Sequence, residues 1–154
     1  MPPDLSSPNL TGVDRFAHDP RTVEKPWGSE LIWAVTDAYA GKILFVKEGE
    51  SLSLQFHNEK DEAWYVLEGR ARLELGRPGE GILAEEVIAA GQAFHFPPGT
   101  VHRLTALADT RIIEVSTPQL DDVVRLEDTT IIEVSTPQLE DVVRLEDRYG
   151  RVEP

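Results

Sequence analysis

The stretch GESLSLQFHNEKDEAWYVLEG, Gly49 to Gly69, holds a strand, a short turn and a returning strand between two glycines. Alternate residues of a strand share a face. Ser51, Ser53, Gln55 and His57 therefore lie on one side, and Leu52, Leu54 and Phe56 on the other. A polar face carrying an imidazole and an amide suits the lining of a ligand cavity inside a small barrel. The apolar face then needs a cover, either the N-terminal arm or a second subunit, and this predicts a homodimer. After the turn at Asn58–Asp61, Glu62 opens the returning strand and can face the same cavity as His57. A carboxylate turned into a barrel must be paired or bound to a metal, because an isolated buried charge is expensive.

A fourth group, His102, follows the rigid turn Pro97-Pro98-Gly99. Gln55, His57, Glu62 and His102 offer two imidazoles, a carboxylate and an amide oxygen. That set suits a borderline divalent cation such as zinc, manganese, iron, cobalt or nickel. Four protein ligands leave room for substrate oxygens if the ion expands beyond four-coordination.

Outward from this stretch, short β-rich runs are separated by turn residues. They cover Glu30–Thr36, Lys42–Lys47, Ser51–His57, Ala63–Glu68, Ala71–Leu75, Ala93–Phe96, Val101–Leu107 and Arg111–Ser116. Ala84–Ala90 fits helix or strand by periodicity, and the surrounding pattern favours strand. Many short strands without an amphipathic helix predict an all-β sandwich or barrel. Residues 1–22, rich in Pro, Ser and Asp, read as a flexible arm. Residues 23–117 read as the barrel and 118–154 as a tail. Lys25-Pro26-Trp27-Gly28 reads as a fixed turn anchored by the indole.

The tail contains a repeat with a period of 19 residues: IIEVSTPQLDDVVRLED at 112–128 and IIEVSTPQLEDVVRLED at 131–147. The copies differ only at Asp121 and Glu140. A solenoid needs three or more units, so this pair reads as a tandem duplication. A closed barrel has one place for its last strand, and the two copies should compete for it. The surplus copy must extend an edge, loop out or pair with another subunit.

The chain has 154 residues, no cysteine and a formal net charge of −13. That length predicts one domain. The charge argues against a nucleic-acid partner, which needs clustered Lys and Arg. The absence of cysteine excludes disulfides and thiolate metal sites and agrees with a cytoplasmic location. No apolar run approaches a membrane span, and the N-terminus lacks the apolar core of a signal peptide.

The central stretch resembles the first motif of the cupin superfamily, with Gly49, His57, Glu62 and Gly69 in register and Gln55 in place of the first histidine. Gly91, Pro97, Gly99 and His102 resemble the second motif, which Ala106 leaves where the family has Asn. The resemblance implies a double-sheet β-barrel of jelly-roll type. More narrowly, KPWGSE, SLQFH, PPGTVHRL and VVRLEDRYGR resemble the type II phosphomannose isomerase cupin. That module also forms the C-terminal part of mannose-1-phosphate guanylyltransferase/isomerases. The Gln-x-His, Glu, His set is also similar to the zinc set of type I phosphomannose isomerases, which puts zinc first.

The resemblance implies a mannose-6-phosphate isomerase with a sugar phosphate as its small-molecule partner. No nucleotide-binding segment precedes the barrel in these residues, so guanylyltransferase activity is not expected. Arg151, in the family-like ending, and Lys42 are the candidates for holding the phosphate or the enediolate. Arg103 alternates with His102 and should turn away from the cavity. His18 lies in the expected arm, His95 reads as an ordinary structural histidine, and Trp64 should stand beside the metal cavity. The alternatives are a non-catalytic metal-binding cupin that binds or senses sugars, and a metal-dependent oxygenase or other cupin enzyme. If the surplus copy is dispensable, deleting Thr110–Asp128 leaves a soluble, cooperatively folded protein by gel filtration and thermal unfolding. Complete loss of solubility would refute that dispensability.

Overall fold

The computed structural model describes residues 16–127 and the backbone of two later strands. In chain order the strands are β1 Arg21–Lys25, β2 Gly28–Val35, β3 Ala40–Val46, β4 Gln55–Phe56, β5 Glu62–Glu68, β6 Arg70–Arg77, β7 Gly81–Ala89, β8 Ala93–Phe96, β9 Val101–Ala106, β10 Thr110–Ser116, β11 Val124–Glu127, β12 Ile132–Val134 and β13 Val142–Leu145. They form two sheets. One has the order β1-β2-β3-β10-β5-β8 and the other β12-β13-β11-β4-β9-β6-β7. Among the described residues there is no α-helix, and none that could cross a membrane as one. Ala84–Ala90 resolves as strand, within β7 but for its last residue.

Alternation builds the interior. Leu44 and Val46 of β3, Ile112 of β10, Trp64 and Val66 of β5, and Leu73 of β6 share the main core, with Trp27 buried against them. Glycine is required at the β5–β6 turn. Gly69 has φ +96°, and a Cβ there would lie 2.4 Å from the Asp109 carbonyl oxygen.

Three differences from the sequence reading follow from strand placement. The expected boundary at 22/23 falls inside β1, which pairs with β2 from Arg21 to Lys25. Most of the expected arm lies outside the described residues. Next, Ser51–His57 is not one continuous strand. Ser51 makes an isolated bridge to Thr105, and regular pairing resumes at Gln55. The alternation therefore breaks, and Leu52 turns into the main core. Leu54 is fully buried with Val101, Val124 and Leu126 of the same chain. That face requires neither an arm nor a second subunit to cover it.

Lastly, the tail contributes to the barrel. The first repeat copy supplies β10, which lies between β3 and β5. It also supplies β11, which pairs with β4. Strands β12 and β13 come from the second copy. β13 runs parallel to β11 and β12 pairs with β13, so this copy extends the edge of the second sheet.

Candidate metal centre

The pairing of the second sheet sets the site. Gln55 lies opposite His102 on β9, and Arg125 on β11 lies opposite Gln55. The chain leaves β4 at His57, turns, and returns with Glu62 as the first residue of β5. The backbone N–H of Gly99 donates to the His57 carbonyl at 2.8 Å, joining the two motif halves. Gly99 holds φ +84° in that turn. Gln55, His57, Glu62 and His102 all line one cavity of about 360 Å³.

His57, Glu62 and His102 are buried, and one ligand atom from each lies within 4.8 Å of the others. Glu62 Oε1 is 3.4 Å from His57 Nε2 and 3.1 Å from His102 Nε2. The partners of the other ring nitrogens set the tautomers. His102 Nδ1–H donates to the Thr100 carbonyl at 2.8 Å, and His57 Nδ1–H donates to the Asp122 carbonyl. A carbonyl can only accept, so in the neutral rings both Nε2 atoms present lone pairs. Two lone pairs and a carboxylate oxygen thus converge, an arrangement that repels itself unless a proton or a metal cation lies among them. Both Glu62 oxygens are buried; Oε2 is met by the Lys60 ammonium at 2.9 Å, and Oε1 has no hydrogen-bond donor among the described residues. The donor set and this unsatisfied oxygen fit a divalent metal ion. Phe96 stacks on the His102 ring at 5.0 Å and Trp64 meets it edge-on at 5.6 Å, which fixes the imidazole.

Sequence reasoning missed Lys60, Glu114, Asp122 and Arg125. Lys60 sits in what reads as a polar surface turn, yet it is 4% exposed. Its ammonium lies 2.9 Å from Glu62 Oε2 and donates to Glu114 Oε2 at 3.3 Å. Trp64 Nε1–H donates to Glu114 Oε1 at 3.0 Å. Burial works against the Lys60 charge, but Glu114 and Glu62 outweigh it and hold the ammonium above the usual lysine range. Burial likewise pushes the Glu62 carboxyl up, but protons on the facing nitrogens of His102 and His57, together with the Lys60 charge, outweigh it and hold it well below the usual range. Glu114 goes the other way. Burial and the Glu62 charge raise it, against the pull of Lys60. Glu62 thus holds its negative charge more firmly than Glu114.

The Asp122 carboxylate accepts backbone N–H bonds from Asn58, Glu59 and Lys60 at 3.0, 2.6 and 2.8 Å. Burial raises that carboxyl, but these donors outweigh it and lower it. This one residue of the first repeat copy therefore shapes the turn between the ligands and orients His57. The available signal was the DDVVRLED segment, which reads as tail until its strand is placed.

The remaining expected residues are dispersed. Lys42 lines the cavity and donates to Glu30 at 3.4 Å. Arg151 lies outside the described residues. Arg103 turns away, as pleating predicts, and pairs with Glu74 at 2.6 and 3.0 Å. His95 pairs with Asp61 at 2.6 Å on the surface, and His18 meets the Trp33 carbonyl. Lys60→Met leaves two buried carboxylates without their shared cation. It should lower unfolding stability by about 3–5 kcal/mol. Chemical denaturation with and without added zinc checks this, and an unchanged midpoint would show that the bridge contributes nothing.

The mannose-6-phosphate isomerase C-terminal family matches residues 14–128. Mannose-1-phosphate guanylyltransferase 2 of Escherichia coli O157:H7 is 31% identical over 110 residues, covering 68% of this chain and 22% of that protein. The xanthan biosynthesis protein XanB of Xanthomonas campestris pv. campestris is 35% identical over 110 residues, with the same 68% and 22% coverage. The chain thus spans about a fifth of the length of these relatives. Among solved structures, KdgF from Halomonas sp. superposes with a TM-score of 0.55 at 28% identity, over 68% of this chain and 90% of that one. CapF from Staphylococcus aureus gives a TM-score of 0.58 at 18% identity, over 70% of this chain and 34% of that one, a likeness of fold. With two largely antiparallel sheets and both motif halves meeting at one cavity, the chain is a cupin and belongs to the mannose-6-phosphate isomerase C-terminal family.

Proposed function

We propose that this chain is a metal-dependent sugar-phosphate isomerase domain that interconverts mannose 6-phosphate and fructose 6-phosphate. The observation that carries the reading is the convergence of two Nε2 lone pairs and the unsatisfied Glu62 Oε1 at a cavity also lined by cations. His57, Glu62 and His102 hold the ion, with Gln55 supplying an amide oxygen and zinc first among the metals. When bound, such an ion polarises the sugar carbonyl and stabilises an enediolate.

The chain's own residues prepare the site for this. Thr100 and Asp122 hold the imidazoles in the ligating tautomer, and Lys60 balances Glu62. Phe96 and Trp64 keep one side of the cavity apolar around His102. Isomerisation breaks a C–H bond at one carbon and forms one at its neighbour, so the sugar needs no co-reactant. Lys42, on the cavity wall, is placed to hold a sugar oxygen or the phosphate. Arg151 keeps that role as a proposal from the sequence. The reading includes a cytoplasmic location and a homodimer. The dimer is now supported by Trp33, Tyr65 and Val115, which are exposed on the outer face of the first sheet.

A second reading, a metal-binding cupin that binds sugars without turning them over, is favoured by one observation. Glu114, Lys60 and Lys42 are each engaged by partners within the cavity wall, which restrains them as proton shuttles. A coupled assay from mannose 6-phosphate to fructose 6-phosphate, on zinc-loaded and chelator-treated protein, separates the two. We expect activity in the loaded protein and a loss of roughly a hundredfold or more in His57→Ala. An active His57→Ala protein rejects the ligand assignment. A wild type that binds mannose 6-phosphate and stays inactive with every candidate metal establishes the binding module.

A further inference from the structure

The two oxygens of Glu62 have different surroundings. Oε1 lies 3.4 Å from His57 Nε2 and 3.1 Å from His102 Nε2, where the ligand atoms converge. Oε2 faces the Lys60 ammonium at 2.9 Å. One oxygen is thus offered to an ion, while the other is held by a cation that the chain itself supplies.

Lys60 is anchored at both ends. Its ammonium also donates to Glu114 Oε2 at 3.3 Å, and Trp64 Nε1–H holds the other Glu114 oxygen at 3.0 Å. Its backbone N–H donates to the Asp122 carboxylate at 2.8 Å. Lys60, Glu62, Glu114 and Trp64 are all buried. Turning Oε2 from the ammonium towards an ion breaks a buried ion pair, and that is costly because no water replaces the missing partner.

A carboxylate can give an ion one oxygen or both. Giving both fills a position that otherwise stays open to water or substrate. Zinc centres that act on a substrate keep such a position, and structural ones close it. With His57, His102, Gln55 and a single Glu62 oxygen as ligands, an ion that favours octahedral surroundings, such as manganese, keeps positions open. We propose that Lys60 is a positioning residue that holds Glu62 to one-oxygen ligation and so keeps a coordination position of the metal centre open. The inference rests on the metal-centre part of the reading above and not on isomerisation. An ammonium this close to the ligands also opposes a second cation, so the open position comes with weaker metal binding.

Manganese-loaded protein reports its open positions through the relaxation of bulk water protons, which grows with the number of exchanging waters on the ion. This readout is independent of turnover. In K60M, Oε2 is released, and relaxation per bound manganese should fall by about half as a second Glu62 oxygen displaces a water. The manganese Kd should tighten about 10-fold. K60R, which keeps a cation beside Oε2, should stay closer to wild type in both. Unchanged relaxation in K60M overturns the proposal, as does an equal fall in K60R. Weaker manganese binding by K60M also overturns it, since that is what loss of a merely structural contact gives. If K60M fails to fold, X-ray absorption of zinc-loaded wild type carries the test. Ligation by a single Glu62 oxygen is expected there, and ligation by both overturns the proposal. A wild type that binds neither metal rejects the metal-centre reading and the proposal with it, whereas one that binds metal and never turns over rejects the isomerase reading and leaves the role of Lys60 standing.

Discussion

Glu62 is the constraint around which the barrel's interior is arranged. Its carboxylate is buried with two imidazole lone pairs on one oxygen and an ammonium on the other. A buried charge persists only where its surroundings return what water would have supplied. Lys60 meets part of that need, and the imidazole side is completed only by a cation. The rest of the wall follows. Lys60 needs a second carboxylate to remain charged at that depth, and Glu114 supplies it. Glu114 needs a donor, and Trp64 supplies that. A chain of polar contacts thus runs from the ligand cluster through the first sheet, beside the apolar core.

The geometry depends on short-range pieces locked by long-range ones. The turn 58–61 carries no hydrophobic anchor of its own. Its three backbone donors are gathered by one carboxylate, Asp122, more than sixty residues later in the chain, and the carbonyl of that same residue orients His57. A site whose ligands are set by such distant contacts is held rigid once both segments are in place. Rigidity of this kind holds a ligand set in place before the ion arrives, so binding does not have to order it.

Much of this was legible beforehand, for identifiable reasons. Period-two alternation marked β3, β5, β9 and β10, because each has one face inside and one outside. The spacing of Gln55, His57 and Glu62 placed them at a strand end and at the start of the next strand, as the hairpin requires. Lys60 was not legible, because Asn-Glu-Lys-Asp has the composition of a solvated turn and nothing local reports that the turn folds inward. Glu114 sits in IIEVS, where alternation assigns a face but not the charge partner that makes the face tolerable. Leu54 was assigned correctly to an apolar face. Its cover was missed because β11 is only four residues long and lies within a segment that reads as tail.

The repeat ties these points together. The first copy supplies Glu114 and Arg125 to the cavity and Asp122 to the turn beside it, so a segment that reads as tail is part of the site. The second copy has Glu133, Asp141 and Arg144 in the same places, and even Asp109-Thr110 recurs as Asp128-Thr129. Side-chain chemistry therefore barely distinguishes the copies. Arg111, which pairs with Glu68 and covers Phe45, becomes Thr130, but those contacts are exposed and contribute little. Chain connectivity does distinguish them. The first copy closes onto β9 through the three residues Leu107–Asp109, whereas the second would close through residues 107–128. Lengthening a flexible closure to that extent costs about 1.8 kcal/mol, roughly a 20-fold preference for the first copy. That bias is small beside the stability of a domain, so the duplicated chain keeps one dominant barrel because the nearer copy reaches the slot more easily, not because it fits better.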